Sequence, residues 1–149
     1  MTAVASAYTS GAGSNIRNSE TTVQSLSINN TTDADAIEIQ FNCKVNQSDG
    51  TGAEDTSTRS NTTIRIYRGS SSGTLIATRT IADSSITQKT GSGGDVNMQM
   101  ALSPSVSISF TDTGISASTT TYTITAESNY GGGTVTASQR YMQLMATKR

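Results

Sequence analysis

The 149-residue chain has no histidine and no tryptophan, one proline, one cysteine and two phenylalanines. Each shortage removes a class of function. Without histidine there is no Ser-His-Asp or Cys-His nucleophilic arrangement and no imidazole metal site. A single cysteine, Cys43, excludes an internal disulfide framework and a multi-cysteine zinc site. Charge is also scarce, at 14% of residues, with ten basic against eleven acidic side chains for a net charge of −1. That balance leaves no electrostatic footprint for nucleic acid or an anionic membrane. No apolar run approaches the roughly 20 residues of a membrane helix. The opening "MTAVASAYTSGAGSN" lacks the positive start and apolar centre of a signal peptide, so the expectation is a soluble product of the cytoplasm.

What fills the chain instead is serine and threonine, together about a third of it, beside an apolar share of 33%. Soluble domains usually carry about 45–50% apolar residues. Disorder pairs low hydrophobicity with high net charge and many prolines, which this chain lacks. Threonine is β-branched and suits a pleated surface with one wet face. The composition therefore points to a Thr-rich β-protein.

Short alternating runs punctuated by Gly, Ser, Asn and Asp bear this out along the sequence. They are 22–28, 36–46, 62–69, 74–81, 96–103, 105–112, 121–128, 134–138 and 140–148. The clearest is "AIEIQFNCKVN" (36–46): Ile37, Ile39, Phe41, Cys43 and Val45 share one face, with Glu38, Gln40, Asn42 and Lys44 opposite. Across the "SSSG" turn, 62–69 and 74–81 read as a hairpin. No segment carries a helical repeat. The expected fold is all-β, a single antiparallel β-sandwich of jelly-roll type over residues 22–149, preceded by an extended N-terminal arm over 1–21.

The candidate chemistry is thin. Cys43 falls on the inward face of its strand and reads as a small buried hydrophobe. The acidic "DGTGAED" (49–55) lacks the ligand spacing of a calcium loop, and "GSGGD" lacks the lysine and strand–helix setting of a phosphate loop. Carboxylates for a glycosidase-type pair exist, but without aromatic sugar platforms beside them. The expectation is a non-enzyme with no cofactor and no metal. Two regions remain as candidate contacts. One is the arm, through Tyr8, Ile16 and Arg17. The other is an exposed binding loop, "NQSDGTGAEDTSTRSN" (46–61) with "NYGGG" (129–133), through Asp49, Glu54, Asp55, Arg59 and Tyr130.

The stretches "TIRIYRGSSSGTLIA" (63–77), "SPSVSISFTDTGISASTTTYTITAES" (103–128) and "RYMQLMATKR" at the end resemble a β-sandwich module of tailed-bacteriophage virion proteins. That module recurs in tail-fibre tips and in capsid-surface or cement-like proteins. Arg68, Gly69 and Ser70 match its hairpin. Val106, Ile108, Phe110 and Asp112 match its middle strand, and Thr120, Thr121, Tyr122 and Thr123 its "tYt" strand. Met142, Leu144 and Met145 stand at the closing strand. The chain departs at "TDTG", where the family continues "L-D-S-P", and at its final "ATKR". The resemblance covers about 22–149 and transfers no catalytic residue.

It implies a virion structural protein, made in the host cytoplasm. The first expectation is a capsid decoration or cement protein, a homotrimer contacting the major capsid protein or another virion protein. The alternative is a receptor-binding tip or adaptor of a tail fibre that touches host surface glycans with the 46–61 and 129–133 loops. A secreted host adhesin or carbohydrate-binding module is a third reading, disfavoured by the missing signal peptide and the missing aromatic platforms. Neither nucleic acid nor a membrane is an expected partner.

Overall fold

Apolar residues at every second position can all be buried on one face only when the chain is extended, so the strands fall where that alternation lies. The computed structural model describes residues 2–11, 13–29, 31, 33–49, 61–82, 105–115, 117–129 and 133–148. These form β1 (Thr2–Gly11), β2 (Ser14–Asn15), β3 (Thr21–Asn29), β4 (Ala36–Asp49), β5 (Asn61–Arg68), β6 (Thr74–Ala82), β7 (Ser105–Asp112), β8 (Thr119–Ser128) and β9 (Gly133–Lys148), with no helix among them.

The strands make two antiparallel sheets that pack as a β-sandwich. One has the order β1-β9-β4-β7, with β2 also pairing β9; the other has the order β3-β8-β5-β6. Setting the two-residue β2 aside, the first sheet takes the first, eighth, third and sixth strands and the other takes the second, seventh, fourth and fifth. Every connection then crosses between sheets except the β5–β6 hairpin. This is the jelly-roll order.

The inward positions are those the alternation predicts. Ile37, Ile39, Phe41, Cys43 and Val45 of β4 are buried, as are Ile64 and Ile66, Val106 and Ile108, and Tyr122, Ile124 and Ala126. Strand β8 holds a surprise: Thr123 and Thr125, on its outward side, are buried as well. Longer side chains from neighbouring strands and from Glu20 lie over these short ones, and the Thr125 hydroxyl donates to Glu20 Oε1 at 2.6 Å.

Three sequence expectations change. The runs 134–138 and 140–148 are one strand, β9. Gln139 has φ 47° and the β4–β9 register shifts between Asn42 and Lys44, so Gln139 and Arg140 together oppose Cys43 in a bulge. Strand β4 continues into the expected loop as far as Asp49, because β9 supplies partners down to Gly133. The N-terminal segment is extended, yet it lies on its own sandwich: β1 runs antiparallel to β9 from Thr2↔Lys148 to Gly11↔Arg140. Strand β9 has a free edge there, and the ladder satisfies the arm's backbone groups. The expected strand at 96–103 lies outside the described residues.

The β5–β6 turn rests on Gly69, whose φ of +93° is left-handed territory. Its N–H donates to Thr121 O at 2.8 Å, and its carbonyl accepts from Thr123 Oγ1 at 2.6 Å, so the turn is tied to β8. Gly69→Ala is expected to cost about 1–2 kcal/mol. Urea unfolding would read this as a lower midpoint with an unchanged slope.

Candidate functional site

The densest polar chemistry lies where three strand ends meet. Arg68 closes β5, Asp112 closes β7 on the opposite sheet, and Tyr122 sits on β8 beside Arg68, its cross-strand partner. Arg68 grips the carboxylate with both arms of its fork, Nε donating to Oδ2 at 2.7 Å and Nη2 to Oδ1. Tyr122 Oη donates to Oδ2 at 2.7 Å and the Gly114 N–H to Oδ1 at 2.9 Å. Asp112 is buried, and both its oxygens are used twice. Gly114 is needed for the approach: a Cβ there would stand 2.3 Å from Arg68 Nη2.

Electrostatics locks these protonation states. Burial pushes the Asp112 carboxyl up, but the bonds from Arg68, Tyr122 and Gly114 outweigh it, and its pKa lies below the ordinary value. Burial, then the bond to Asp112, raises the Tyr122 phenol above its ordinary value. A carboxylate with both oxygens occupied is no general base, and a phenol held as a donor is no nucleophile. The cluster is a staple between the sheets. Cys43 is no more reactive: burial pushes its thiol up to about 11, against the opposing pull of Arg140. Among the described residues, no three His, Cys, Asp or Glu side chains gather as a metal site.

A second charged group lies on the outer face of the β3-β8-β5-β6 sheet. Arg65 Nη1 is 3.2 Å from Glu20 Oε2 and 3.3 Å from Glu127 Oε2, and Tyr67 Oη donates to Glu20 Oε1 at 2.8 Å. The Thr125 bond first, then those of Tyr67 and Arg65, hold Glu20 below the ordinary carboxylate value despite some burial. The charged members keep side-chain exposures of 24% for Arg65, 34% for Glu20 and 38% for Glu127, so Glu20→Gln is expected to cost about 1 kcal/mol or less, and less still in high salt. Paired urea titrations at low and high ionic strength check this.

The candidate contact residues are dispersed. Ile16, expected to dock on a neighbour, is fully buried in the chain's own core; its N–H donates to Val135 O and its carbonyl accepts from Ser128 N. An isoleucine there completes the apolar cluster between the sheets. Tyr8 pairs with Gln143 through β1, and exposed Arg17 bridges Ser128. Asp49 is the last residue of β4, opposite Gly133. Glu54, Asp55, Arg59 and Tyr130 lie outside the described residues. The flanks of the two candidate loops nevertheless adjoin: Asp49 pairs with Gly133, and Asn61 N–H donates to Asn129 Oδ1 at 2.6 Å. That end is opposite the staple.

Sequence reasoning singled out Arg68, Asp112 and Tyr122 as motif residues without foreseeing that they touch. Their meeting is the physical content of the motif. Between edge strands β6 and β7 there is also an apolar groove of about 360 Å³, lined by Ile64, Ile66, Ala77, Ile108 and Phe110. Arg79 spans it, donating to Ser107 O at 3.1 Å.

No protein-family model matches the sequence, and no curated protein does. Among solved structures, the chain is similar to a chain of the T13 IBDV (infectious bursal disease virus) viral particle, at 11% identity and a TM-score of 0.51. The match covers 95% of this chain and 30% of that one, so this chain spans less than a third of its neighbour's length. A second match is to the VP2 subviral particle of infectious bursal disease virus, at 17% identity and a TM-score of 0.30, covering 97% of this chain and 42% of that one. At such identities the likeness is one of fold: this chain is an antiparallel β-sandwich of a kind also built into a viral particle.

Proposed function

We propose that the chain is a virion structural protein, and specifically a bacteriophage capsid decoration or cement protein that sits on the shell as a homotrimer against the major capsid protein. The observation that carries this reading is the fold. A jelly roll is a recurrent solution for capsid domains, and nearly the whole chain superposes on part of a viral-particle chain. The bacteriophage assignment rests on the resemblance of the Arg68, Asp112 and Tyr122 segments to a phage module. The densest polar cluster among the described residues is spent on joining the sheets, which suits a structural role better than catalysis.

A tail-fibre tip or adaptor is the second reading. In its favour, the flanks of 50–60 and 130–132 emerge together at one end, as a loop-borne receptor or glycan site requires. Gold-labelled antibody on intact particles under the electron microscope separates the two. Label spread over the head is the expected result, and label confined to the tail would replace the first reading with the second. Absence of label from particles defeats both.

A further inference from the structure

We infer that the outer face of the β1-β9-β4-β7 sheet is a self-complementary docking surface for a second copy of this chain, related by a twofold axis crossing β4 at Phe41. The two outer faces of the sandwich differ in how their charges are used. On the β3-β8-β5-β6 face, Glu20 and Glu127 both pair with Arg65 within the chain. On the other face, the outward positions of β4, β7 and β9 carry only two charges among the described residues, Glu38 and Lys44. Neither forms an ion pair with a described residue, since their cross-strand neighbours are Thr111 and Met145 for Glu38, and Ser105 and Ser138 for Lys44.

Their spacing sets the symmetry. Both point outward from one strand and lie equally far from Phe41, roughly 10 Å to either side at about 3.4 Å per residue. A twofold axis in the plane of the contact and perpendicular to β4 lays β4 antiparallel on its copy. Glu38 then faces Lys44 of the second copy, and Lys44 faces its Glu38. An axis along the strand would set Glu38 on Glu38, which Coulomb repulsion disfavours. The perpendicular axis also brings Gln40 over Asn42 of the second copy, two amides that both donate and accept. Tyr141, level with Asn42 and one of the exposed large apolar side chains at 38%, lies over Gln143 of the copy.

The contact is isologous. Four strands about 4.8 Å apart and some 24 Å long cover roughly 450 Å² per copy, which is the scale of a weak contact. Weak contacts of this kind become strong when many act together, as on a shell. The inference goes beyond the virion reading and does not depend on it: it concerns the isolated protein.

Charge reversal tests it. Glu38→Lys leaves only cations on the face and Lys44→Glu only anions, so each variant repels itself while the two attract each other. Sedimentation equilibrium from about 20 µM to 1 mM protein should show wild type associating, more weakly in high salt. Each variant alone should associate at least tenfold more weakly, and an equimolar mixture should recover wild-type association. Melting temperatures within a few degrees of wild type establish that both variants fold, and Glu38→Gln with Lys44→Gln serve should either reversal not fold. A wild type that stays monomeric over this range, single variants that associate as well as wild type, or a mixture without recovery would each overturn the inference. None of these outcomes bears on where antibody labels the particle.

Discussion

Replacing Asp112 by alanine is expected to destabilise the sandwich by about 3 kcal/mol, among the largest losses of any polar residue in the chain. Removing the carboxylate leaves Arg68 without its bidentate partner and the Tyr122 hydroxyl without an acceptor inside the core. Arg68 keeps a side-chain exposure of 31%, so water relieves part of its cost and the loss falls at the lower end for a broken buried pair. For a domain of this size the loss corresponds to a melting temperature lower by roughly 6–12 °C. Tyr122→Phe removes a single bond and should cost about 1–2 kcal/mol.

The same staple sets the pH limits of stability. The Asp112 carboxyl titrates lower in the folded state than its ordinary 3.8. Its contribution is therefore present above pH 3.8 and lost as pH falls through the folded value. Tyr122 works from the other side. Its folded pKa is raised above the ordinary 10.0, so stability falls once pH exceeds 10 and the unfolded chain can ionise. Asp112→Asn removes the acid arm of this profile. The gap between wild type and Asp112→Asn, measured by urea unfolding, should be full at pH 7 and shrink below pH 3.8. A gap that stays constant with pH would mean the carboxylate's charge contributes nothing.

Strands were legible in the sequence wherever one face is apolar and the other wet. Ile37 to Val45 is the plainest case, because period two is a local property and burial follows from it. The jelly-roll class was legible from strand spacing for the same reason. Gln139 shows where local reading stops: a glutamine with positive φ carries no sequence signal, and its bulge exists because β4 continues on both sides of Cys43. The arm was opaque for a different reason. Its small polar residues have weak periodicity, and its placement depends on the free edge of β9, more than a hundred residues away. Arg68, Asp112 and Tyr122 stood out as residues, but only the crossing of β7 to the other sheet brings a carboxylate to that arginine.

Phe41→Ala should be among the costliest single truncations of the described core, at about 3–5 kcal/mol. Phe41 is fully buried at the middle of β4, an interior strand of its sheet, and its cross-strand partners Ile108 and Met142 are buried too. Packed ladders on both sides leave the backbone little freedom to collapse into the vacated space, which favours a cavity over relaxation. The chain has only one other phenylalanine, Phe110, half-buried beside the β6–β7 groove. Phe110→Ala should cost less, about 1–2 kcal/mol, because that ring packs at the edge of the core and is already partly exposed. Urea unfolding of the two variants side by side measures the contrast, and equal losses would mean the core does not centre on β4. Domains are stable by only about 5–15 kcal/mol, so a Phe41 loss of about 3–5 kcal/mol takes roughly a fifth or more of the total. If copies share stability in an assembly, binding shifts the folding equilibrium by mass action. Phe41→Ala should then unfold at a much lower urea concentration than wild type when free, and at a similar one when mounted on particles.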